Sequence, residues 1–170
     1  MTTVAVVGTG RMGSAMARSL ARGGVDLVLH NRSAERAEAL ANELGASLAG
    51  SPSEAASAAD ITITMLADGP AVEATWGGRD GLIAGARSGS VLVDMSTVPP
   101  ETLPTFADAV HRRGAGIVDA PVSGSVQLAE SASSRSWPAD RPRISTAPDP
   151  PSTWWRSRSP TSDASATAMR

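Results

Sequence analysis

The stretch VAVVGTGRMG at residues 4–13 decides how the rest of the chain is read. Val4, Ala5, Val6 and Val7 form a short apolar run of the kind that fills a strand buried on both faces. Gly8, Gly10 and Gly13 follow with the spacing G-x-G-x-x-G, and from Arg11 onward the pattern turns helical. In a strand–turn–helix unit each glycine has its own use. Gly8 permits a tight turn, Gly10 lets backbone approach a pyrophosphate, and Gly13 lets helix and strand pack closely. The helix that follows directs its N-terminal amides at phosphate. Glycine triplets at this spacing also occur in ordinary loops and in methyltransferases, so the surrounding pattern has to carry the assignment.

That pattern is β-α-β-α. Met12, Met16 and Leu20 recur at helical spacing over residues 11–22, and Gly23-Gly24 is the stop. Core packing explains both methionine side chains. DLVLH at residues 26–30 is a second strand, and Ser33 can cap a helix over residues 34–44 whose buried stripe is Ala37, Leu40, Ala41 and Leu44. The acidic residue that commonly ends the second strand and binds the ribose 2′-hydroxyl of NAD is missing; Asn31, Arg32 and Ser33 stand in its place. An arginine there can pair with a 2′-phosphate, and Ser33 can add a hydroxyl donor, so NADP is expected in preference to NAD; the alternative is a solvated loop arginine.

Further along, residues 46–48 read as a weak third strand and SPSE at residues 51–54 as a helix start with proline in its first turn. ITITM at residues 61–65 is a fourth strand, and the loop Met65, Leu66, Ala67, Asp68 should border the first glycine turn, where ligands bind in a doubly wound sheet. Residues 70–76 read as a short helix, 77–89 as a glycine-rich connection with Trp76 as a hydrophobic lid on it, and 91–94 as a fifth strand. Pro99 and Pro100 open a helix expected to run to Arg113, and residues 117–119 make a sixth strand. His111 lies in that helix's last turn, where the macrodipole alone explains a cation, and His30 inside a strand reads as structural.

Composition bounds the function. The chain has 170 residues, 41% hydrophobic and 19% charged, with a formal net charge of -2, which suits one soluble domain and gives no sign of a nucleic acid or a membrane as partner. No apolar run reaches membrane-spanning length, and Thr2-Thr3 leads straight into a strand, so no signal peptide and a cytoplasmic location are expected. With no cysteine, disulfides and thiolate chemistry are excluded. All 15 residues of the Lys+Arg count are arginine.

GTGRMGSAMA at residues 8–17, NRS at 31–33, DMSTVPP at 94–100 and DAPVSGS at 119–125, taken together and in this order, resemble the β-hydroxyacid dehydrogenases, the relatives of 3-hydroxyisobutyrate dehydrogenase, tartronate semialdehyde reductase and 6-phosphogluconate dehydrogenase. The resemblance covers residues 1 to about 131 and implies an α/β fold, a doubly wound, mainly parallel Rossmann sheet with helices on both faces. It implies cofactor contacts at Gly8, Gly10, Arg11, Met12, Gly13, Asn31, Arg32, Ser33, Met65, Leu66, Ala67 and Thr97, with Thr97 on the nicotinamide half. Ser123 and Gly124 match the positions that bind a substrate carboxylate, while Asp94 and Asp119 could merely cap strand ends. The reaction implied is hydride transfer between nicotinamide and a small-molecule β-hydroxyacid, with a lysine from a following helical domain as general acid or base. No residue in this sequence matches that lysine. Imine reductases share the N-terminal motifs, DAPVSGS leans away from them, and a non-catalytic nucleotide-binding fragment or pseudogene product is a further alternative.

The organisation expected is a cofactor domain over residues 1–130 and an irregular or disordered tail over 131–170, with the helical domain absent and oligomers not expected. Six of the 12 prolines and three of the four tryptophans (Trp137, Trp154, Trp155) fall in that tail. Back-translation suggests its origin. One spelling of residues 132–140, GCA AGC TCA CGG TCA TGG CCG GCG GAC, read one base earlier encodes GKLTVMAGG, which is how the family continues after its SGS loop. In that frame serine TCN and tryptophan TGG become nTC and nTG, the codons of apolar residues. A frameshift near Ser131 is therefore expected.

Overall fold

The computed structural model describes residues 2–122 together with Val126 and Ala129. The expectations for Ser123, Gly124 and the segment 131–170 lie outside the described residues.

Six strands form one parallel sheet in the order β3-β2-β1-β4-β5-β6. They are β1 (Thr3–Val7), β2 (Asp26–His30), β3 (Ser47–Leu48), β4 (Ile61–Thr64), β5 (Val91–Asp94) and β6 (Gly116–Asp119). The helices between them are α1 (Arg11–Arg22), α2 (Ala34–Leu44), α3 (Pro52–Ala58), α4 (Gly69–Trp76), α5 (Leu82–Gly85) and α6 (Pro104–Arg112). This is the doubly wound Rossmann sheet, whose order reverses between β1 and β4. Among the described residues no helix is long and apolar enough to cross a membrane.

Alternation along β1 builds both layers at once. Ala5 and Val7 pack with Trp76, Leu82, Leu92 and Val110 on the face covered by α3 to α6, whereas Val6 packs with Ala17, Leu29, Leu40 and Ala41 beneath α1 and α2. A strand covered on both faces must be apolar at every position, which is why VAVV is an unbroken run. The register puts the last residues of five strands in one row, His30, Val7, Thr64, Asp94 and Asp119, so every loop after a strand opens on the same rim.

The structure departs from the sequence expectations in four places. The proline-rich segment after β5 is not helical from Pro99: residues 99–103 form turns, Thr102 N–H donates to the Pro99 carbonyl, and the helix begins at Pro104. Pro104 has no N–H for the Pro100 carbonyl and its ring would crowd it, so one helix could not run through both. The connection after α4 contains the short helix α5, seated so close to α3 that a Cβ on Gly85 would collide with the Ser53 carbonyl. Trp76 is a core residue, fully buried and stacked on Phe106 with ring centroids 5.8 Å apart, rather than a lid on the connection. Ser33 occupies the N-cap position of α2, but its side chain makes no cap hydrogen bond.

Candidate functional site

Among the described residues, one surface hollow of about 390 Å³ lies at the strand starts, lined by Thr3, Asp26 and Leu48 among others. A second, about 460 Å³, is lined by Thr9, Gly10, Arg11, Ser14, Arg18, Arg36 and Val126. Open α/β sheets bind ligands beyond the carboxyl ends of their strands at the point of reversal, and only the second meets that condition.

The glycine turn is held there by its surroundings. Gly8 has φ +98°, a left-handed conformation, and a Cβ on it would strike the Met65 carbonyl and lie 3.1 Å from Leu66 Cδ2. The turn after β1 and the loop after β4 are therefore in direct contact. A Cβ on Gly13 would collide with the Gly8 carbonyl, so α1 meets the strand end through backbone alone. Gly10 is different: a Cβ there would meet nothing within 4 Å, because that face of the residue is open to the cleft.

At its start α1 has Gly10 as N-cap and receives no side-chain cap, in contrast to α3 and α4, where Ser51 and Asp68 accept from Glu54 N–H and Ala71 N–H. The opening amides of a 12-residue helix thus face a cleft with Arg11 and Arg36 on its walls. Backbone donors, the positive end of a helix dipole and two guanidinium groups suit an extended polyanion. The bare face of Gly10 gives it room to approach.

Around the turn, the Thr9 N–H donates to Asn31 Oδ1 at 3.0 Å, and Asn31 Nδ2 donates to the Ser33 carbonyl at 3.1 Å. Asn31 accordingly latches the loop after β2 onto the glycine turn. Arg32 and Ser33 are exposed on that loop. His30 is structural: its Nδ1 donates to the Ala49 carbonyl at 2.9 Å. Arg36, one turn into α2 from Arg32, reaches the cleft lining, and sequence reading missed it because an arginine on the exposed face of an amphipathic helix looks like ordinary solvation. Its signal was the spacing of four from Arg32. Arg18, also in the lining, forks onto Glu43 at 2.7 and 2.8 Å, and this arginine holds the Glu43 carboxyl below its ordinary value.

On the other half of the rim, Met65 and Leu66 are half-buried against the turn, and Ala67 and Thr97 are exposed. Beneath them lies a buried polar centre. Thr64 Oγ1 and Ser96 Oγ both donate to Asp94 Oδ1, at 2.5 and 2.7 Å, and Asp94 is fully buried. Trp76 Nε1 donates to Thr64 Oγ1 at 3.3 Å and the Leu66 N–H donates to Ser96 Oγ at 2.9 Å. Among the described residues, Asp94 Oδ2 is buried with no hydrogen-bond partner. Asp119, paired with Asp94 across the sheet, has its carboxyl pushed up, first by desolvation and then by the Asp94 charge. Asp94 is thus a buried acceptor rather than a strand-end cap.

Comparisons with known proteins bear on the family and the fold. The family model described as the NAD binding domain of 6-phosphogluconate dehydrogenase matches residues 3–137, somewhat beyond the stretch that carries the motifs. The uncharacterized oxidoreductase YfjR of Bacillus subtilis is 38% identical over 132 residues, covering 78% of this chain and 46% of that protein. Mitochondrial 3-hydroxyisobutyrate dehydrogenase of Mus musculus is 36% identical over 130 residues, covering 76% of this chain and 38% of that protein. A solved structure, Psf3 in complex with NADP+ and 2-OPP, superposes with a TM-score of 0.69 at 34% identity, over 75% of this chain and 45% of that one. The chain spans less than half the length of each of these relatives. With the fold, the glycine turn and the rim residues in one register, the chain belongs to the family of the NAD(P)-binding domain of 6-phosphogluconate dehydrogenase and 3-hydroxyisobutyrate dehydrogenase.

Proposed function

We propose that this chain is the NADP-binding unit of an oxidoreductase that acts on a small β-hydroxyacid. The observation that carries the cofactor choice is the pair Arg32 and Arg36 on the loop and first turn after β2, with no carboxylate at the strand end. A carboxylate there would repel a 2′-phosphate and accept from a 2′-hydroxyl; two arginines do the reverse. The hydroxyl of Ser33, which makes no cap bond, is available as a third donor on the same loop. Arg11 and the opening amides of α1 hold the pyrophosphate, and Asn31 keeps the two loops in register. When bound, NADP supplies the hydride acceptor or donor; the chain contributes binding and orientation. Ser123 and Gly124 are the proposed carboxylate contacts, on the strength of the DAPVSGS motif. For residues 131–170 we propose an origin in a shifted reading frame.

A charge-assisted hydrogen bond contributes about 1.5 to 3 kcal/mol, or roughly ten- to a hundredfold in affinity. In fluorescence titrations the unaltered chain should bind NADPH more tightly than NADH by a factor in that range. Arg32→Ala should remove most of the preference, and Arg36→Ala part of it, without weakening NADH. Equal affinity for the two cofactors in the unaltered chain would refute the assignment of both arginines.

A further inference from the structure

The polar centre under the rim has a direction built into it. The Leu66 N–H and the Trp76 Nε1–H can only donate, so Ser96 Oγ and Thr64 Oγ1 must accept from them and spend their own protons elsewhere. Both protons converge on one atom, Asp94 Oδ1. The Val93 carbonyl, 3.4 Å from Thr64 Oγ1, is a poorer acceptor for the same proton. Three parts of the fold that share no strand are thereby fixed to one carboxyl: the loop after β4 through Leu66, the loop after β5 through Ser96, and the end of α4 through Trp76. The carboxyl has no ion-pair partner among the described residues, and its second oxygen has no donor. Burial on these terms costs stability, and an apolar residue of similar size would be the more stable filling. What the carboxyl provides is geometry.

That geometry bears on one half of the crevice. A doubly wound sheet takes a dinucleotide as two mononucleotides, one over each βαβαβ half. Arg32 and Arg36 stand on the half built from β1 to β3, so on the cofactor reading proposed above, on which this inference rests, the adenosine side lies there and the nicotinamide side falls over β4 to β6. We propose that Asp94 is a positioning residue for the nicotinamide side, acting through Ser96 on the Leu66 amide to fix the loop after β4 against the glycine turn. A carboxylate is suited to the centre because it is a pure acceptor. An asparagine in its place would keep the shape and could still accept on its oxygen, yet it would exchange one acceptor oxygen for an NH2 donor at a centre into which Thr64 and Ser96 both donate.

The test compares two ligands on the full 170-residue chain. NADPH reports both halves of the crevice, whereas 2′,5′-ADP carries the phosphates of the adenosine side and has no nicotinamide. Ser96→Ala cuts the branch to Leu66 and should weaken NADPH about tenfold, the worth of one hydrogen bond, while 2′,5′-ADP stays within about twofold. Asp94→Asn, which conserves volume, should shift the ratio in the same direction. Thr64→Val cuts only the Trp76 branch and should lower the melting temperature with the ratio of the two affinities unchanged. A purely structural role for Asp94 would make Ser96→Ala behave like Thr64→Val, and an unchanged ratio in both Ser96→Ala and Asp94→Asn overturns the proposal. If the unaltered chain binds neither ligand, it is the cofactor reading that fails, and this inference fails with it.

Discussion

Gly13→Ala is expected to destabilise the chain by about 3 kcal/mol, at the upper end of what overpacking costs, and to abolish NADPH binding. The methyl group would collide with the Gly8 carbonyl, and its other neighbours are Gly8 C at 3.1 Å and Met65 Cβ at 3.6 Å. Side chains can rotate away from an intruding carbon, but here the obstacle is backbone with little freedom to move. Gly8 N–H is bonded to the His30 carbonyl at 2.9 Å and Met65 N–H to the Val7 carbonyl at 3.0 Å, so shifting the turn would loosen the ends of three strands. Against a total stability of about 5 to 15 kcal/mol such a loss is large. Gly10→Ala separates the two effects. Its methyl meets nothing in the protein and the backbone φ of -69° is ordinary, so stability should fall by less than about 1 kcal/mol, while the methyl stands in the cleft and weakens NADPH. Chemical denaturation and a binding titration on both variants check this. Equal stability for the two variants would show that the turn is not packed as described.

The second large effect concerns turnover. The polypeptide is expected not to interconvert a β-hydroxyacid and its carbonyl acid. Reducing the carbonyl carbon leaves an oxyanion that needs a proton, and the family resemblance assigns that proton to a lysine, a residue type with no representative in this sequence. Arginine does not substitute, because its guanidinium stays protonated throughout the working pH range. Loss of a positioned acid removes ~10²- to 10⁴-fold in rate. The comparison to make is between this chain and a version read one base earlier from Ser131 onward and extended through the family's helical domain, assayed with NADP and a panel of 3-hydroxyacids. Activity confined to the second version supports both the family's chemistry and the shifted frame. Comparable activity in the two would refute the role given to lysine.

Where the sequence carried a periodic pattern with a stop signal, the structure follows it closely. α1, α2 and β2 begin and end where the repeat of apolar positions and the following glycine or polar cluster put them. α5 was illegible because four residues make little more than one turn and display no repeat; its existence depends on the close approach that Gly85 allows to α3. The start of α6 was misread because three prolines, Pro99, Pro100 and Pro104, can each open a helix, and local chemistry does not rank them. At the site, the glycine turn was legible since steric necessity dictates the residue type. Asp94 was not: an aspartate ending VLVD looks the same in sequence whether it faces solvent or sits fully buried beneath Trp76, Thr64 and Ser96. One of its donors, Thr64, lies 30 positions away in the chain, and only the sheet register brings it alongside.

Amide hydrogen exchange of the chain with and without saturating NADPH tests most directly whether a dinucleotide lies across the point where the strand order reverses. Protection is expected to rise at residues 8–14, where the opening amides of α1 face the cleft, and at residues 31–36, with a further gain at residues 65–67 and 96–97 on the second half of the rim. NADH should give the same map at higher concentration, and S-adenosylmethionine none of it. No added protection at residues 8–14 under saturating NADPH, or an identical gain with S-adenosylmethionine, would contradict the assignment.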